Sequence, residues 1–354
     1  MIAAPRVESS RFAKRFGIVL GGLLVVAILA VEPVARARAA DSAVVVMYHR
    51  FGESQHPSTN VTLEQFESHL GELRDGEYAV RSITEIVTAL REGRALPERT
   101  LGLTVDDAFL SVYQVAWPRL REAGYPFTLF VATDAVDRGL GGYMNWDQIR
   151  ELVSAGVTVG SQTASHLHMA NADRERNRRD IERSNRRFVE ELGQAPALFA
   201  YPYGEASLAV VDLIRDAGFV AAFGQHSGVL GSSENEYFLP RFAMNETYGG
   251  IERFQLAVNA LALPVTEITP EDPLIGDPNP PSIGFTVLAP LSGLDRLACY
   301  ASHEGRASLE RLGSSRFEVR LRTPLPAGRT RLNCTMPTDS GRWRWFGRQF
   351  YVAP

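Results

Sequence analysis

Two adjacent carboxylates at the end of an apolar segment are the residues best suited to chemistry in this chain of 354 residues. Asp106 and Asp107 follow the β-favouring residues 100–105, and a helical pattern runs over residues 111–122. In α/β folds, catalytic groups lie at the carboxyl ends of buried strands. Two carboxylates this close shift each other's pKa, so one can bind a metal while the other serves as a base. The structural alternative is that either aspartate caps the following helix.

Two further polar stretches follow predicted strands. They are QTASHLH over residues 162–168 and AYPYG over residues 200–204. The carboxyl ends of parallel strands meet at one rim, so both stretches should approach the two aspartates. A carboxylate and an imidazole together can begin a divalent metal site. A solvated or structural role for the loop histidines stays open from the residues alone.

Strand and helix patterns alternate from residue 43 to about residue 262. This alternation predicts a parallel sheet or barrel wrapped by helices. Residues 174–192 form a helical segment dense in arginine and carboxylates. Such a charge pattern favours a solvated helix with many salt bridges over a binding face.

After residue 263 the pattern changes. Residues 264–281 are rich in Pro, Asp and Glu and predict a linker, and the short alternating segments of residues 282–354 predict a small antiparallel β-domain. Cys299 and Cys334 would lie on two of its strands, and a disulfide that ties its sheets together is our prediction, with two buried free thiols as the alternative. Trp343 and Trp345 share one side of a strand and suit either core packing or a sugar-stacking platform.

The first forty residues predict an export signal. A basic start precedes an apolar run over residues 17–31 and small-residue cleavage sites. Residues 1–40 are therefore a signal peptide or an uncleaved N-terminal anchor, and both place the remainder outside the cytoplasm, in the periplasm or beyond the cell. Six basic and two acidic residues lie in this segment, so the formal net charge of −4 becomes −8 without it. An acidic remainder argues against nucleic acid as a partner, and only the N-terminal segment would touch a membrane.

The order of the three polar stretches resembles the NodB-type polysaccharide deacetylases, carbohydrate esterase family four. TVDDA at residues 104–108 is similar to the family's Thr-Phe-Asp-Asp-Gly, and QTASH at residues 162–166 to its His-(Ser/Thr)-x-x-His. AYPYG at residues 200–204 is similar to its third motif, in the form found in the branch that deacetylates poly-N-acetylglucosamine. MYH at residues 47–49 and WDQ at residues 146–148 are also similar to family features that precede these motifs. The resemblance covers about residues 43–262.

The resemblance implies a deformed (β/α) barrel of NodB-homology type over residues 41–263, followed by the antiparallel β-domain. It also implies a hydrolase that removes N-acetyl groups from an amino-sugar polymer with a divalent metal ion, zinc being the expected one. Asp106 matches the general base. Asp107 and His166 match metal ligands.

The resemblance further implies a substrate-binding set formed by His49, Tyr201, Pro202 and Tyr203. The backbone N–H of Tyr203 matches a donor to the oxyanion that forms during acyl transfer. Packing in the core or at the rim is the alternative role for the two tyrosine rings. His226 is a candidate general acid, with a solvated loop histidine as the alternative.

Three departures from the family pattern bear on the site. Gln162 stands where the family has its first histidine ligand, Ala108 replaces a glycine, and Ala200 replaces the arginine that orients the base. Gln162 could bind the metal through its oxygen and give a weakened site, which is the interpretation we favour. Alternatively His168 substitutes for it, or the metal is lost.

These observations predict an exported, metal-dependent polysaccharide N-deacetylase. Two other functions stay open: a catalytically impaired glycan-binding protein on the same fold, and an O-acetyl esterase that uses the same chemistry.

Overall fold

The computed structural model describes residues 39–288 and 290–354. The predicted export signal therefore lies almost wholly outside the described residues. Among the helices of the described part, none combines the length and the apolar character needed to cross a membrane.

The described structure contains many strands, most of them short. In chain order they are β1 (Ala39–Ala40), β2 (Ser42–Tyr48), β3 (Arg50–Phe51), β4 (Asn60–Val61), β5 (Ala79–Val80), β6 (Leu96–Pro97), β7 (Thr100–Asp106), β8 (Phe127–Val131), β9 (Thr158–Ser161), β10 (Leu198–Ala200), β11 (Ala221–Phe223), β12 (Val229–Gly231), β13 (Phe242–Ala243), β14 (Leu261–Ala262), β15 (Val265–Thr269), β16 (Ile283–Val287), β17 (Ala298–Ala301), β18 (Gly305–Arg306), β19 (Ser308–Leu312), β20 (Arg316–Arg320), β21 (Gly328–Pro337) and β22 (Trp343–Val352).

The helices fall between the strands of the first part of the chain. They are α1 (Leu63–Asp75), α2 (Ile83–Arg91), α3 (Trp117–Glu122), α4 (Thr133–Asp137), α5 (Trp146–Ser154), α6 (Arg174–Leu192), α7 (Leu208–Asp216) and α8 (Ile251–Val258). A π-helical turn, Val112–Ala116, leads into α3. Local sequence explains where several helices begin: Thr62 and Gln65 form a capping box at α1, and Asp173 caps α6.

A curled, mostly parallel sheet forms the centre of the first part. Its order is β11-β10-β9-β8-β7-β2-β12, with the first six strands parallel and β12 antiparallel to β2. Every residue of β7 is buried, as expected for a strand covered on both faces. Gly102 allows α2 to pack closely, because a Cβ there would lie 2.5 Å from a methyl group of Ile83. The predicted α/β fold of deformed barrel type is confirmed.

The later strands form two antiparallel sheets, which confirms the predicted β-rich second part. Their orders are β14-β22-β21-β17-β18 and β15-β16-β20-β19. β15 lies within the segment predicted to be a linker. Its residues Val265 and Thr266 pair with Val287 and Thr286 of β16, so part of that segment belongs to the second sheet.

Cys299 and Cys334 form a disulfide, as predicted. The expectation that it ties two sheets together is wrong. Both cysteines lie in one sheet, directly opposite each other on the neighbouring strands β17 and β21. The sequence indicated which strands carry the cysteines but not how those strands pair.

One face of the β21–β22 hairpin packs on the barrel. Trp345 contacts Phe242 of β13 edge-on, with ring centroids 5.2 Å apart, and its indole N–H donates to Asn333. Trp343, at the strand's end, is 37% exposed. This hairpin face therefore borders the rim at which the parallel strands end.

Candidate active site

The two aspartates lie at the end of the central strand, where the backbone makes an unusual turn. Asp107 and Ala108 both have positive φ, 76° and 51°. Non-glycine residues rarely adopt this region, and such strain is concentrated at functional sites. The helical segment begins at Leu110, whose N–H donates to the carbonyl of Gly142. Among the described residues, neither aspartate side chain accepts from a backbone N–H of that first turn, so the capping alternative for Asp106 and Asp107 is wrong.

Asp106 is fully buried in a two-pronged ion pair with Arg241. The guanidinium nitrogens of Arg241 donate to the two carboxylate oxygens at 2.7 and 2.9 Å. Arg241 is also fully buried, and it donates to the hydroxyl of Thr104 and the carbonyl of Gly224. Because both oxygens of the carboxylate accept a hydrogen bond from the guanidinium, the orientation of Asp106 is fixed.

Arg241 is a site residue that the motif analysis missed. Ala200, which stands where the family pattern has the orienting arginine, is a buried small residue of β10. Arg241 reaches the same carboxylate from a segment 135 residues further along the chain, just before β13. The available signal was an arginine inside the apolar run of residues 238–244.

His49 approaches Asp106 from the neighbouring strand. It follows β2, which pairs in parallel with β7. Its Nε2 atom lies 3.9 Å from Oδ2 of Asp106, and its side chain is 13% exposed. His49 therefore lies between the buried carboxylate and the open side of the site.

Asp107 and His166 form the second contact pair of the site. Nε2 of His166 is 3.4 Å from Oδ1 of Asp107. Burial opposes the charge on Asp107, but the imidazoles of His166 and His49 together with Arg50 hold the pKa of that carboxyl below its usual range. Burial likewise opposes the charge on His166, and Asp107 raises its pKa.

The loop that carries His166 is held from the helix behind it. Thr163 and His166 both have positive φ, 67° and 53°. The carboxylate of Asp180 on α6 accepts from the backbone N–H groups of Ala164 and Ser165 at 3.1 and 3.0 Å. Asp180 thus offsets the cost of the strained loop and fixes the position of the imidazole.

Gln162 lies beside Asp107 but turns its oxygen to the backbone. Its Oε1 accepts from the N–H of Asp107 at 3.3 Å, and its buried Nε2 has no partner among the described residues. An amide nitrogen is not a metal ligand. Within residues 39–288 and 290–354, no three His, Cys, Asp or Glu side chains are grouped to hold a metal. Asp107 and His166 are thus the two ionisable side chains of the motif that lie together, and no third one joins them in the described residues.

His168 is engaged elsewhere. Its Nδ1 lies 2.7 Å from the carboxylate of Glu205, and its ring stacks on Tyr203 with centroids 4.0 Å apart. The alternative in which His168 takes the place of Gln162 has no support in this geometry.

The tyrosine–proline turn separates into a buried part and an accessible part. Tyr201 and Pro202 are buried, and the Tyr201 hydroxyl donates to the carbonyl of Tyr237, so the Tyr201 ring packs in the core and not on a sugar. Tyr203, at φ 60°, is partly exposed, and its ring meets His166 edge-on at 4.6 Å. Of these three residues, Tyr203 alone has a ring open to a ligand.

His226 does not suit a general acid. Its ring is buried against Phe238, and its Nδ1 has no partner among the described residues. Burial, together with the charges of Arg348, Arg331 and Arg241, lowers the pKa of His226 to about 3. A histidine with such a pKa is neutral near pH 7 and lacks the imidazolium proton that a general acid donates.

Comparison with known proteins agrees with the motifs. Residues 93–222 match the family described as polysaccharide deacetylase, a span that includes Asp106, Asp107, Gln162 and His166. The chain is 23% identical over 201 residues to the poly-beta-1,6-N-acetyl-D-glucosamine N-deacetylase of Staphylococcus aureus, covering 53% of this chain and 68% of that protein.

Solved structures share the fold. IcaB from Ammonifex degensii is 26% identical with a TM-score of 0.54, and the match covers 60% of this chain and 96% of that one. The deacetylase PplD of Streptococcus pyogenes is 19% identical with a TM-score of 0.57, covering 61% and 98%. The resemblance inferred from the three motifs is confirmed: the chain contains a NodB-type polysaccharide deacetylase domain, of the hydrolase class that cleaves carbon–nitrogen bonds of N-acetylated carbohydrates.

Proposed function

We propose that this polysaccharide deacetylase is an exported enzyme that removes N-acetyl groups from an amino-sugar polymer, with Asp106 as the general base. The observation that supports this most directly is the different environment of two adjacent carboxylates. Asp106 is buried and held by Arg241, whereas Asp107 faces the accessible side and contacts His166. Different environments give two neighbouring carboxylates different roles.

In this proposal the chain's residues move one proton between stated atoms. A water molecule attacks the acetyl carbonyl, and a carboxylate oxygen of Asp106 accepts its proton. The carbon–nitrogen bond then breaks, acetate forms, and Asp106 returns the proton to the leaving amine. Arg241 holds the carboxylate of Asp106 in one orientation. His49, 3.9 Å from Asp106, would hold the substrate over the base.

The oxyanion and the sugar would be bound on the other side of the site. The N–H of Tyr203 is the proposed donor to the oxyanion, and the Tyr203 ring is the proposed sugar contact. Tyr201 and Pro202, which are buried, would act by holding the turn.

A divalent ion, with zinc as the expected one, would be held by Asp107 and His166, and Gln162 would lie next to it. Such an ion would polarise the acetyl carbonyl and make a water molecule a better nucleophile. Because Gln162 adds no charge and its oxygen is engaged, we expect weak binding. Changing Gln162→His should raise zinc affinity at least tenfold in calorimetry, whereas the exposed control Gln194→His should not. Equal affinities in both variants would place Gln162 outside the metal site.

Glycan binding without catalysis is the second candidate, and the missing third ligand favours it. Acetate release from poly-β-1,6-N-acetylglucosamine oligomers by purified residues 41–354, with zinc added, distinguishes the two. We expect release by the wild type and by the exposed control Asp295→Asn, and none by Asp106→Asn. Binding of the oligomers without any acetate release would favour the glycan-binding protein. Release only from O-acetylated glycans would favour the esterase.

The division of the chain is also a proposal. Residues 41–263 would form the deacetylase domain, residues 264–281 a connection that includes β15, and residues 282–354 the β-domain. Removal of residues 1–40 on export would take only β1, with its pairing to β6, from the described part. N-terminal sequencing of the secreted protein tests this.

A further inference from the structure

A groove at the edge of the candidate active site is lined by both parts of the chain. It has a volume of about 460 Å³, and its wall includes His168 and Glu205 from the barrel and Arg329, Arg331 and Tyr351 from the β21–β22 hairpin. Arg329 and Arg331 are two residues apart on one strand, so they share a face. The groove therefore presents two guanidinium groups beside the Tyr203 turn.

Arg329 connects this groove to the site. Its guanidinium donates to the carbonyl of Tyr203 at 3.3 Å and lies 3.7 Å from the carboxylate of Glu205. The Tyr203 ring contacts His168 on the groove side and His166 on the site side. A glycan whose acetyl group reached Asp106 would thus extend past Tyr203 into the groove.

Arg331 differs from the other partly buried arginines of its sheet. Arg342 donates to Glu98, Arg344 to the carbonyl of Ala262 and Arg348 to the carbonyl of Glu271. The guanidinium of Arg331, by contrast, has no carboxylate within salt-bridge distance and no hydrogen-bond acceptor in the described part of the chain. Burial and the neighbouring charge of Arg329 lower the pKa of Arg331. A partly buried cation without a partner is costly unless a ligand supplies the opposite charge.

The unpartnered Arg331 favours an anion in the groove. Glu205 is the one side-chain carboxylate among the lining residues, and His168 and Arg329 both contact it. Neither Glu205 nor the terminal residue Pro354, which also lines the groove, forms an ion pair with Arg331. A planar guanidinium binds a carboxylate through two parallel N–H donors, which suits a uronic acid or a similar acidic sugar.

We propose that this groove binds a carboxylate of the glycan, on a sugar unit next to the one that is deacetylated, and that Arg331 is its main contact. The proposal rests on the proposed function for the position of the reacting sugar. The preferred substrate is then an acidic N-acetylated polysaccharide, and a neutral polymer would bind without the Arg331 contact.

The test uses two oligosaccharides that differ only in charge. A hyaluronan tetrasaccharide alternates N-acetylglucosamine with glucuronic acid, and its carboxyl-reduced form has alcohols in place of the carboxylates. Calorimetry on residues 41–354 should give at least tenfold tighter binding of the charged form at low salt. Raising the sodium chloride concentration should reduce that preference.

Two variants test whether the groove causes the tighter binding of the charged tetrasaccharide. Arg331→Gln should abolish this preference, whereas Arg306→Gln, on the exposed strand β18 of the same sheet, should retain it. Because Arg331 has no protein partner, Arg331→Gln should not lower Tm. Equal binding of the two tetrasaccharides, an unchanged preference in Arg331→Gln, or a large fall in its Tm would each overturn the proposal.

Binding and turnover separate this proposal from the proposed function. Acetate release from neutral oligomers, combined with equal binding of the two tetrasaccharides, would support the deacetylase activity and refute carboxylate binding in the groove. The opposite result is tighter binding of the charged tetrasaccharide that Arg331→Gln abolishes, with no acetate release from any glycan. It would support carboxylate binding in the groove and refute the deacetylase activity.

Discussion

Changing Arg241→Met should destabilise the fold and stop catalysis at once. Asp106 and Arg241 are both fully buried, and the arginine makes two bonds to the carboxylate and one each to Thr104 and Gly224. Methionine has a similar length but no donors, so the variant leaves a buried carboxylate without its counter-charge. Breaking a buried ion pair in this way costs about 3–5 kcal/mol. In a domain of this size that corresponds to a fall in Tm of roughly 10 °C.

A double-mutant cycle separates the ion pair from simple packing. Asp106→Leu, Arg241→Met and the double variant should be compared with the wild type by urea unfolding. Each single variant leaves one buried charge without its counter-charge, whereas the double variant contains neither charge. We therefore expect the double variant to be more stable than either single one, with a coupling free energy of about 2 kcal/mol or more.

Activity supplies the second measurement. At a temperature where Arg241→Met remains folded by near-ultraviolet circular dichroism, acetate release should fall at least a hundredfold, because the base loses its fixed orientation. Arg241→Lys keeps the charge without the planar fork and should fall in between. If Arg241→Met unfolds within 0.5 kcal/mol of the wild type, or retains full activity, the pair neither stabilises the fold nor orients a base.

Two further predictions concern the turn at Tyr203 and the buried histidines. Gln349, which is buried, donates to the carbonyls of Tyr203 and Gly204 at 3.2 and 2.7 Å. Gln349→Met should therefore lower kcat about tenfold with little change in KM, whereas the exposed control Gln194→Met should leave both constants unchanged. A change confined to KM would contradict a role of Gln349 in positioning the turn. Burial lowers the pKa of His69 to about 4 and that of His226 to about 3, below the value near 6.5 expected in the unfolded chain. The unfolded state therefore binds more protons, and the free energy of unfolding should fall as pH drops from about 6.5 towards 4, by up to about 1.4 kcal/mol per pH unit for each histidine. Urea unfolding at several pH values should show a shallower fall in His226→Gln, and an unchanged slope would refute the assignment.

Local sequence predicted the parts of the site that depend on strand ends. Asp106 and Asp107 could be placed because an apolar strand runs directly into them, and His166 because its loop follows a parallel neighbour. Arg241 could not be found in this way, since its contact with Asp106 spans 135 positions and depends on β13 pairing with β2. The disulfide illustrates the same limit, because alternating residues indicate a strand but not its neighbour.

Two of the three departures from the family motifs, at positions 200 and 162, have opposite outcomes in the structure, and the reason is geometric. The arginine missing at position 200 is replaced by Arg241, because a base can be oriented by a donor from any element that reaches its carboxylate. The histidine missing at position 162 is not replaced, because the nearest candidate, His168, contacts Glu205 and stacks on Tyr203 instead. In the proposed mechanism, Arg241 therefore fully orients the base, whereas the metal site lacks a third ionisable ligand. We expect metal affinity, rather than the base, to limit the proposed deacetylase activity.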